Sequence, residues 1–83
     1  MKLKAVRVDV LDVETRSGWW DYNRKQHDNE QSTIPVYGIL VDRNDKWVVL
    51  ANSYNKGAGE WLGGVSIPAG IVKRIRVVEV TDV

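Results

Sequence analysis

The chain has 83 residues and no cysteine, which suits one small domain and excludes both a disulfide framework and a cysteine-ligated zinc site. Hydrophobic residues make up 43% of the sequence, as in globular proteins, and the net charge of +1 argues against broad, charge-driven binding of nucleic acid. No apolar run approaches the roughly 18 residues of a membrane-spanning helix, and no signal-peptide pattern is present. We therefore expect a soluble cytoplasmic protein without a membrane partner.

The aliphatic residues predict an all-β fold. The chain contains 14 valines and 5 isoleucines against 5 leucines. β-branched side chains lose rotamer freedom in helices and pack well on a pleated surface. In addition, the apolar spacing of an amphipathic helix never persists for three turns.

We predict five strands. The first covers residues 3–14, because Val6, Val8 and Val10 alternate with small or polar residues. The alternation then slips at Leu11, which predicts a bulge or a bend near residues 10–11. The other four strands are separated by turn-forming residues, glycines and prolines, and they cover residues 36–42, 46–53, 61–67 and 73–80.

The segments between these strands complete the predicted fold. Residues 42–45 should form a tight turn, and residues 52–60 read as a flexible connector. Gly63 and Gly64 predict a bulge within the fourth strand, and a single 3₁₀ turn through Ile71 fits the gap before the last strand. Five short strands with glycine-marked bends predict a small curled sheet that closes into a barrel.

Charge patterning predicts how the terminal strands pair. The first and the last predicted strand are each basic at the start and acidic at the end. Antiparallel pairing of these two strands therefore places opposite charges together at both ends. Parallel pairing would place like charges together. The basic residues are Lys2, Lys4, Arg7, Lys73, Arg74 and Arg76, and the acidic ones are Asp9, Asp12, Glu14, Glu79 and Asp82.

A long polar loop, residues 15–33, separates the first two strands. Loops longer than about 12–15 residues are uncommon in compact domains and are usually functional or disordered. Trp19, Trp20 and Tyr22 lie near the start of this one. Either Trp19 or Trp20 folds back to close one end of the barrel, or at least one of the three aromatics stays exposed and contacts a partner. Adjacent side chains on an extended segment point in opposite directions, which allows both outcomes.

The remaining aromatic residues complete a candidate binding set. Trp47 lies in the most apolar strand and is predicted to be a core residue. Trp61 follows the glycine-rich connector, where a groove and a buried position are both compatible with the sequence. Tyr54 and Lys56 belong to the same connector and are predicted surface contacts. The candidate partner-binding residues are Trp19, Trp20, Tyr22, Tyr54, Lys56 and Trp61.

Catalysis finds little support in the sequence. His27 is the single histidine and lies in a polar run, where a solvated side chain is the expected state. Residues 57–59 lack the Lys-Ser/Thr pair and the helix that a phosphate-binding loop requires. Asp42 and Asp45 flank a turn and are better explained as turn formers than as metal ligands. We therefore expect no enzyme, no metal and no cofactor.

Several motifs give a family resemblance that covers about three-quarters of the chain. They are Val10-Leu11-Asp12, Ser17-Gly18-Trp19-Trp20, Tyr37-Gly38-Ile39-Leu40-Val41, Trp47-Val48-Val49-Leu50-Ala51 and Ile67-Pro68-Ala69-Gly70-Ile71. In this order they resemble small, mostly uncharacterised proteins encoded by bacteriophages and prophages. The resemblance implies a phage accessory protein with an SH3-like β-barrel, acting in the cytoplasm of the host cell. It brings no catalytic residue.

These observations favour a non-enzymatic binding module that contacts and modulates a host protein through its Trp-containing loop. One alternative is a module that binds or sequesters a nucleotide or another small ligand in an anti-defence role, with Tyr54, Lys56 and Trp61 forming the stacking site. Another is a minor structural protein of the virion. Exposed terminal strand edges and apolar patches favour a homodimer. We do not expect nucleic-acid binding, because antiparallel terminal strands supply the densest basic run, residues 73–76, with acidic neighbours.

Overall fold

The computed structural model describes residues 1–12, 19, 21–22 and 33–83, and within them the fold is all-β, as the sequence predicts. These described residues form seven strands and one 3₁₀ turn, which follow in chain order. They are β1 (Lys2–Leu11), β2 (Thr33–Arg43), β3 (Trp47–Ala51), β4 (Ser53–Asn55), β5 (Glu60–Leu62), β6 (Val65–Pro68), the 3₁₀ turn Ala69–Ile71 and β7 (Val72–Asp82).

Five of these strands form one antiparallel sheet in the order β6-β3-β2-β1-β7. β4 and β5 pair with each other in a separate two-stranded ribbon. The five-stranded sheet has β6 and β7 at its two edges, so the part of the chain that the structure describes does not close into the expected barrel. A closed barrel would need the two edge strands, β6 and β7, to pair with each other. Instead, β7 pairs with β1, and the four-residue β6 pairs with β3.

The predicted antiparallel pairing of the terminal strands is confirmed. Lys2 lies opposite Asp82 with a distance of 3.8 Å between Nζ and Oδ1, and Asp9 lies opposite Arg74 with 3.6 Å between Oδ2 and Nε. The backbone N–H of Val83 donates to the carbonyl oxygen of Met1 at 2.9 Å, which brings the two ends of the chain together. Opposite charges therefore meet at both ends of the strand pair.

Two register shifts interrupt the pairing of β1 with β7. One lies between Ala5 and Val6 and leaves Val78 of β7 without a residue opposite, and the other lies between Asp9 and Val10 and does the same for Lys73. A bulge was expected near residues 10–11 of the first strand. The second shift lies one residue earlier, and the extra residue belongs to β7 because its partner β1 keeps a regular register with β2.

The core covers one face of the five-stranded sheet. Its buried side chains come from β1, β3 and β6 and are Val6, Val8, Val10, Val48, Leu50 and Ile67. Trp47 was predicted to join them, but it is 44% exposed. Alternation along β3 explains the error, since Val48 and Leu50 take the core positions and the side chain of Trp47 points to the other face.

The segment after β3 differs most from the prediction. The expected flexible connector, residues 52–60, contains β4 and the first residue of β5, and the expected fourth strand is divided at Gly63 and Gly64. Both glycines have positive φ, of 62° and 138°, which ordinary side chains rarely adopt. A Cβ on Gly64 would also collide with the carbonyl oxygen of Leu50. The two glycines therefore mark a local break between β5 and β6, and the pairing keeps the same register on both sides of it, with Leu62 opposite Ser53 and Val65 opposite Leu50.

The turn between β2 and β3 is held by side-chain hydrogen bonds. Oδ1 of Asn44 accepts the backbone N–H groups of Lys46 and Trp47, both at 2.9 Å, and Nδ2 of Asn44 donates to Asp42 at 3.0 Å. This arrangement gives Asp42 the role of a turn former, as the sequence predicts.

Candidate binding cleft on the β4–β5 ribbon

The ribbon brings three of the predicted contact residues to one place. β4 and β5 pair antiparallel, with Tyr54 directly opposite Trp61. The turn between them is closed by a backbone hydrogen bond from Gly59 to Asn55 at 2.8 Å. Oδ1 of Asn55 also accepts the N–H of Ala58 at 3.3 Å. A run that looks like a flexible connector in the sequence therefore forms an ordered hairpin.

The rings of Tyr54 and Trp61 pack against each other. Their centroids are 4.6 Å apart and their planes are inclined by 53°. Aromatic pairs at such distances contribute about 0.5–1.5 kcal/mol beyond the apolar area that they bury. Isolated two-stranded hairpins are marginally stable in water, so this contact helps to hold the ribbon. Trp61 nevertheless stays 38% exposed, which leaves part of its indole ring accessible to a ligand.

A cleft of about 570 Å³ lies along the ribbon. Leu62, the last residue of β5, is 69% exposed and adds an apolar side chain beside the aromatic pair. Lys56 and Glu60 supply one positive and one negative charge. The residues that line the cleft are Ser53, Tyr54, Asn55, Lys56, Gly57, Glu60, Trp61 and Leu62. The surface is thus aromatic and apolar, with polar groups of both signs.

Trp19 and Tyr22, the two predicted loop residues that the structure describes, are not brought to this cleft. Trp19 is fully exposed and Tyr22 is 60% exposed, and neither of them lines it. Trp20 lies outside the described residues, as does most of the predicted loop 15–33. Of the described candidate residues, Tyr54, Lys56 and Trp61 therefore line the cleft, and Trp19 and Tyr22 do not.

Five cleft residues were missed by the sequence interpretation: Ser53, Asn55, Gly57, Glu60 and Leu62. A signal for them was present, because Asn55 and Gly59 are turn-forming residues at the spacing of a short hairpin. The strands that flank them have three residues each, which is too short for an alternation of polar and apolar residues to be recognised.

A cluster of charged residues lies on the face of β1 opposite the core. Asp9 is 6% exposed, and its Oδ1 accepts a hydrogen bond from Nε of Arg7 at 2.8 Å. Arg74 and Arg76 of β7 lie 3.6 and 4.0 Å from its Oδ2. The hydrogen bond from Arg7 and the charges of all three arginines lower the pKa of Asp9, and they outweigh burial, which raises it. The same hydrogen bond raises the pKa of Arg7.

The three arginines explain how the carboxylate of Asp9 can be nearly buried on the sheet. A buried charge is costly unless it is paired and hydrogen-bonded, and Asp9 has a partner on its own strand and two on the neighbouring strand. The basic residues of β7 are therefore neutralised in part by Asp9, which agrees with the charge pairing expected from the sequence.

Within residues 1–12, 19, 21–22 and 33–83, no group of three or more His, Cys, Asp or Glu side chains is placed to hold a metal ion. The same residues contain no helix that is long and apolar enough to span a membrane. His27 lies outside the described residues.

No protein-family model, curated protein or solved structure matches this chain. The resemblance to phage-encoded proteins and to SH3-like barrels therefore stays a prediction from the sequence motifs. The geometry of the chain's own residues is the basis for a proposal about its function.

Proposed function

We propose that the protein is a non-enzymatic binding module that contacts a partner protein through the cleft of the β4–β5 ribbon. The observation that carries this proposal is the packed pair of Tyr54 and Trp61, which lies on a ribbon separate from the main sheet and keeps part of the indole accessible. Tyr and Trp are enriched among the residues that dominate binding energy at protein interfaces.

The surroundings of the pair fit the anatomy of a protein interface. Such interfaces combine an apolar, aromatic centre with a polar rim. Leu62 extends the apolar centre, and Lys56 and Glu60 provide charged groups beside it. The two rings also support each other before a partner arrives, so that less conformational entropy is lost on binding. The ribbon is thus suited to receive an apolar side chain of another protein.

The long loop supplies a second proposed contact. Trp19 exposes its whole side chain, a large apolar surface whose burial by a partner is favourable. We assign the same role to its neighbours Trp20 and Tyr22 on the basis of the sequence. Two contacts on one chain would raise affinity and specificity together.

The proposal includes a biological setting, namely a bacteriophage-infected host cell. The sequence motifs support a phage accessory protein that acts in the cytoplasm of its host and modulates a host protein. The antiparallel terminal strands and the 3₁₀ turn before the last strand are compatible with an SH3-like arrangement.

A second candidate function is the binding of a nucleotide or a similar small ligand in the same cleft. The cleft has a volume of about 570 Å³, which lies within the range of small-molecule sites, although it is more open to solvent than an enclosed pocket. A base can stack on the exposed part of Trp61, and the ammonium group of Lys56 is a suitable partner for a phosphate. The two candidates differ in what the protein retains from a cell extract.

Affinity capture from host lysate, followed by mass spectrometry of the protein and small-molecule fractions, distinguishes them. The wild-type chain is expected to retain one protein in stoichiometric amount, and Trp61→Ala is expected to lose it. Trp47→Ala is a matched control, since Trp47 is similarly exposed at 44% but lies on β3 outside the cleft. A nucleotide in the small-molecule fraction, without a captured protein, would favour the second candidate. A captured protein that Trp61→Ala retains in full would contradict the proposed site.

A further inference from the structure

The outer edge of β7 is a long strand edge. β7 has 11 residues and pairs with β1 on one side, and no strand of the described residues pairs with its other side. Three of its valines are largely exposed: Val77 at 54%, Val78 at 64% and Val80 at 49%. An exposed edge with apolar side chains is a template for pairing with another strand.

The bulge at Val78 gives this strand an unusual side-chain pattern. In a regular strand, Arg76 and Glu79 would point to opposite faces, because they are three residues apart. Here Arg76 lies opposite Arg7, and Glu79 lies opposite Ala5. Arg7 and Ala5 share one face of β1, so Arg76 and Glu79 also share one face of β7.

We propose that β7 pairs antiparallel with β7 of a second copy of this chain, across a twofold axis that passes between Val77 and Val78. In this register Arg76 faces the partner's Glu79, and Arg74 faces the partner's Thr81 on the same side of the sheet. Ile75 faces the partner's Val80 on the other side. The two five-stranded sheets then form one continuous sheet.

Charge complementarity supports this register along the whole strand. Lys73, near the start of β7, lies opposite the partner's Asp82, near its end, while Arg76 lies opposite the partner's Glu79. The symmetry repeats each pair, which gives four attractive contacts, whereas a parallel arrangement would place Arg76 against the partner's Arg76. Arg76 and the partner's Glu79 lie on the same face only because the bulge shifts the alternation at Val78.

The opposite edge of the sheet is a poorer candidate. β6 has four residues and ends at Pro68, which has no backbone N–H to donate. β7 has 11 residues, and those from Lys73 to Asp82 are all used in the proposed register. The interface is therefore assigned to β7.

The test uses two charge-reversal variants, Arg76→Glu and Glu79→Arg, and sedimentation velocity over a concentration series. The wild-type chain is expected to dimerise, and each variant alone to associate at least roughly tenfold more weakly, because its symmetric pairs become repulsive. An equimolar mixture of the two variants is expected to form a heterodimer, since position 76 of each copy then again faces an opposite charge at position 79 of the other copy. A wild-type monomer at all concentrations, or variants that associate as the wild type does, would overturn the proposal.

Arg76 also lies 4.0 Å from Asp9, so its reversal can disturb folding. Cysteine cross-linking avoids this difficulty, because the chain has no cysteine of its own. Lys73→Cys and Asp82→Cys alter exposed positions that face each other in the proposed dimer. Mild oxidation of the mixed variants is expected to give a disulfide-linked heterodimer, and neither variant alone should cross-link. A mixture that cross-links no faster than either variant alone would contradict the register.

Discussion

Asp9 of β1 and Arg74 of β7 lie directly opposite each other, although 65 positions separate them in the sequence, and their charged groups are 3.6 Å apart. Arg7 and Arg76 surround the same carboxylate. The terminal strands therefore meet around one nearly buried negative charge, on the face of the sheet opposite the core.

We expect Asp9→Asn to lower the stability of the fold at neutral pH. The pKa of Asp9 is lowered in the folded chain, so its contribution is present above the ordinary unfolded value of about 3.9 and is lost as the pH falls through the folded value. Thermal unfolding of the wild type and Asp9→Asn between pH 2 and pH 7 measures this. The gap between their melting temperatures should narrow in acid.

Asp82→Asn is the control for Asp9→Asn. Asp82 pairs with Lys2 at 3.8 Å, but both side chains are well exposed, and surface pairs of this kind contribute little. At protein concentrations too low for the proposed β7 dimer to form, this variant should therefore melt close to the wild type at neutral pH. If the difference in melting temperature between the wild type and Asp9→Asn stays constant from pH 7 to pH 2, the role assigned to the carboxylate of Asp9 is contradicted.

The core can be tested at Val8, whose side chain is fully buried. Val8→Ala removes two methyl groups and leaves a cavity, so we expect a loss of about 2–3 kcal/mol in the free energy of unfolding. Val65→Ala, at a position that is 46% exposed, should cost less than about 1 kcal/mol. Urea denaturation measures both. If Val8→Ala and Val65→Ala lower the free energy of unfolding equally, the face of the sheet that carries Val8 is not the buried core face.

The backbone break between β5 and β6 depends on Gly64. Its φ of 138° and the nearby carbonyl of Leu50 leave no room for a Cβ, and we expect Gly64→Ala to cost about 2 kcal/mol or more. Gly70→Ala is the control, because a Cβ at Gly70 meets nothing within 4 Å. Urea denaturation should show that Gly70→Ala stays within about 0.5 kcal/mol of the wild type. A Gly64→Ala variant as stable as this control would contradict the backbone conformation described at Gly64.

The sequence predicted those features that depend on local pattern or on paired charges. The alternation around Val8 indicated a half-buried strand, and the charges at both ends of the chain indicated how β1 and β7 pair. The short gap between the predicted fourth and last strands indicated the 3₁₀ turn before β7. In each case, the residues that determine the structure lie next to each other or carry complementary charges.

Other features depend on tertiary contacts that no local pattern reports. Trp47 lies in a strand that is apolar on both faces, so alternation alone could not tell which face joins the core. Closure of a barrel depends on how the edge strands meet, and the ribbon depends on strands of three residues each. Of the cleft, Tyr54, Lys56 and Trp61 were predicted as contacts, whereas the direct packing of the two rings was not.

The most direct test of the proposed function is isothermal titration calorimetry of the purified protein with the partner that it captures. Truncation of a central aromatic residue at an interface commonly costs about 2 kcal/mol or more, so Trp61→Ala is expected to weaken binding roughly 30-fold or more. Trp47→Ala should stay within about threefold of the wild type. Circular dichroism confirms that both variants are folded. A folded Trp61→Ala that binds the partner as tightly as the wild type would contradict the assignment of the cleft as the binding site.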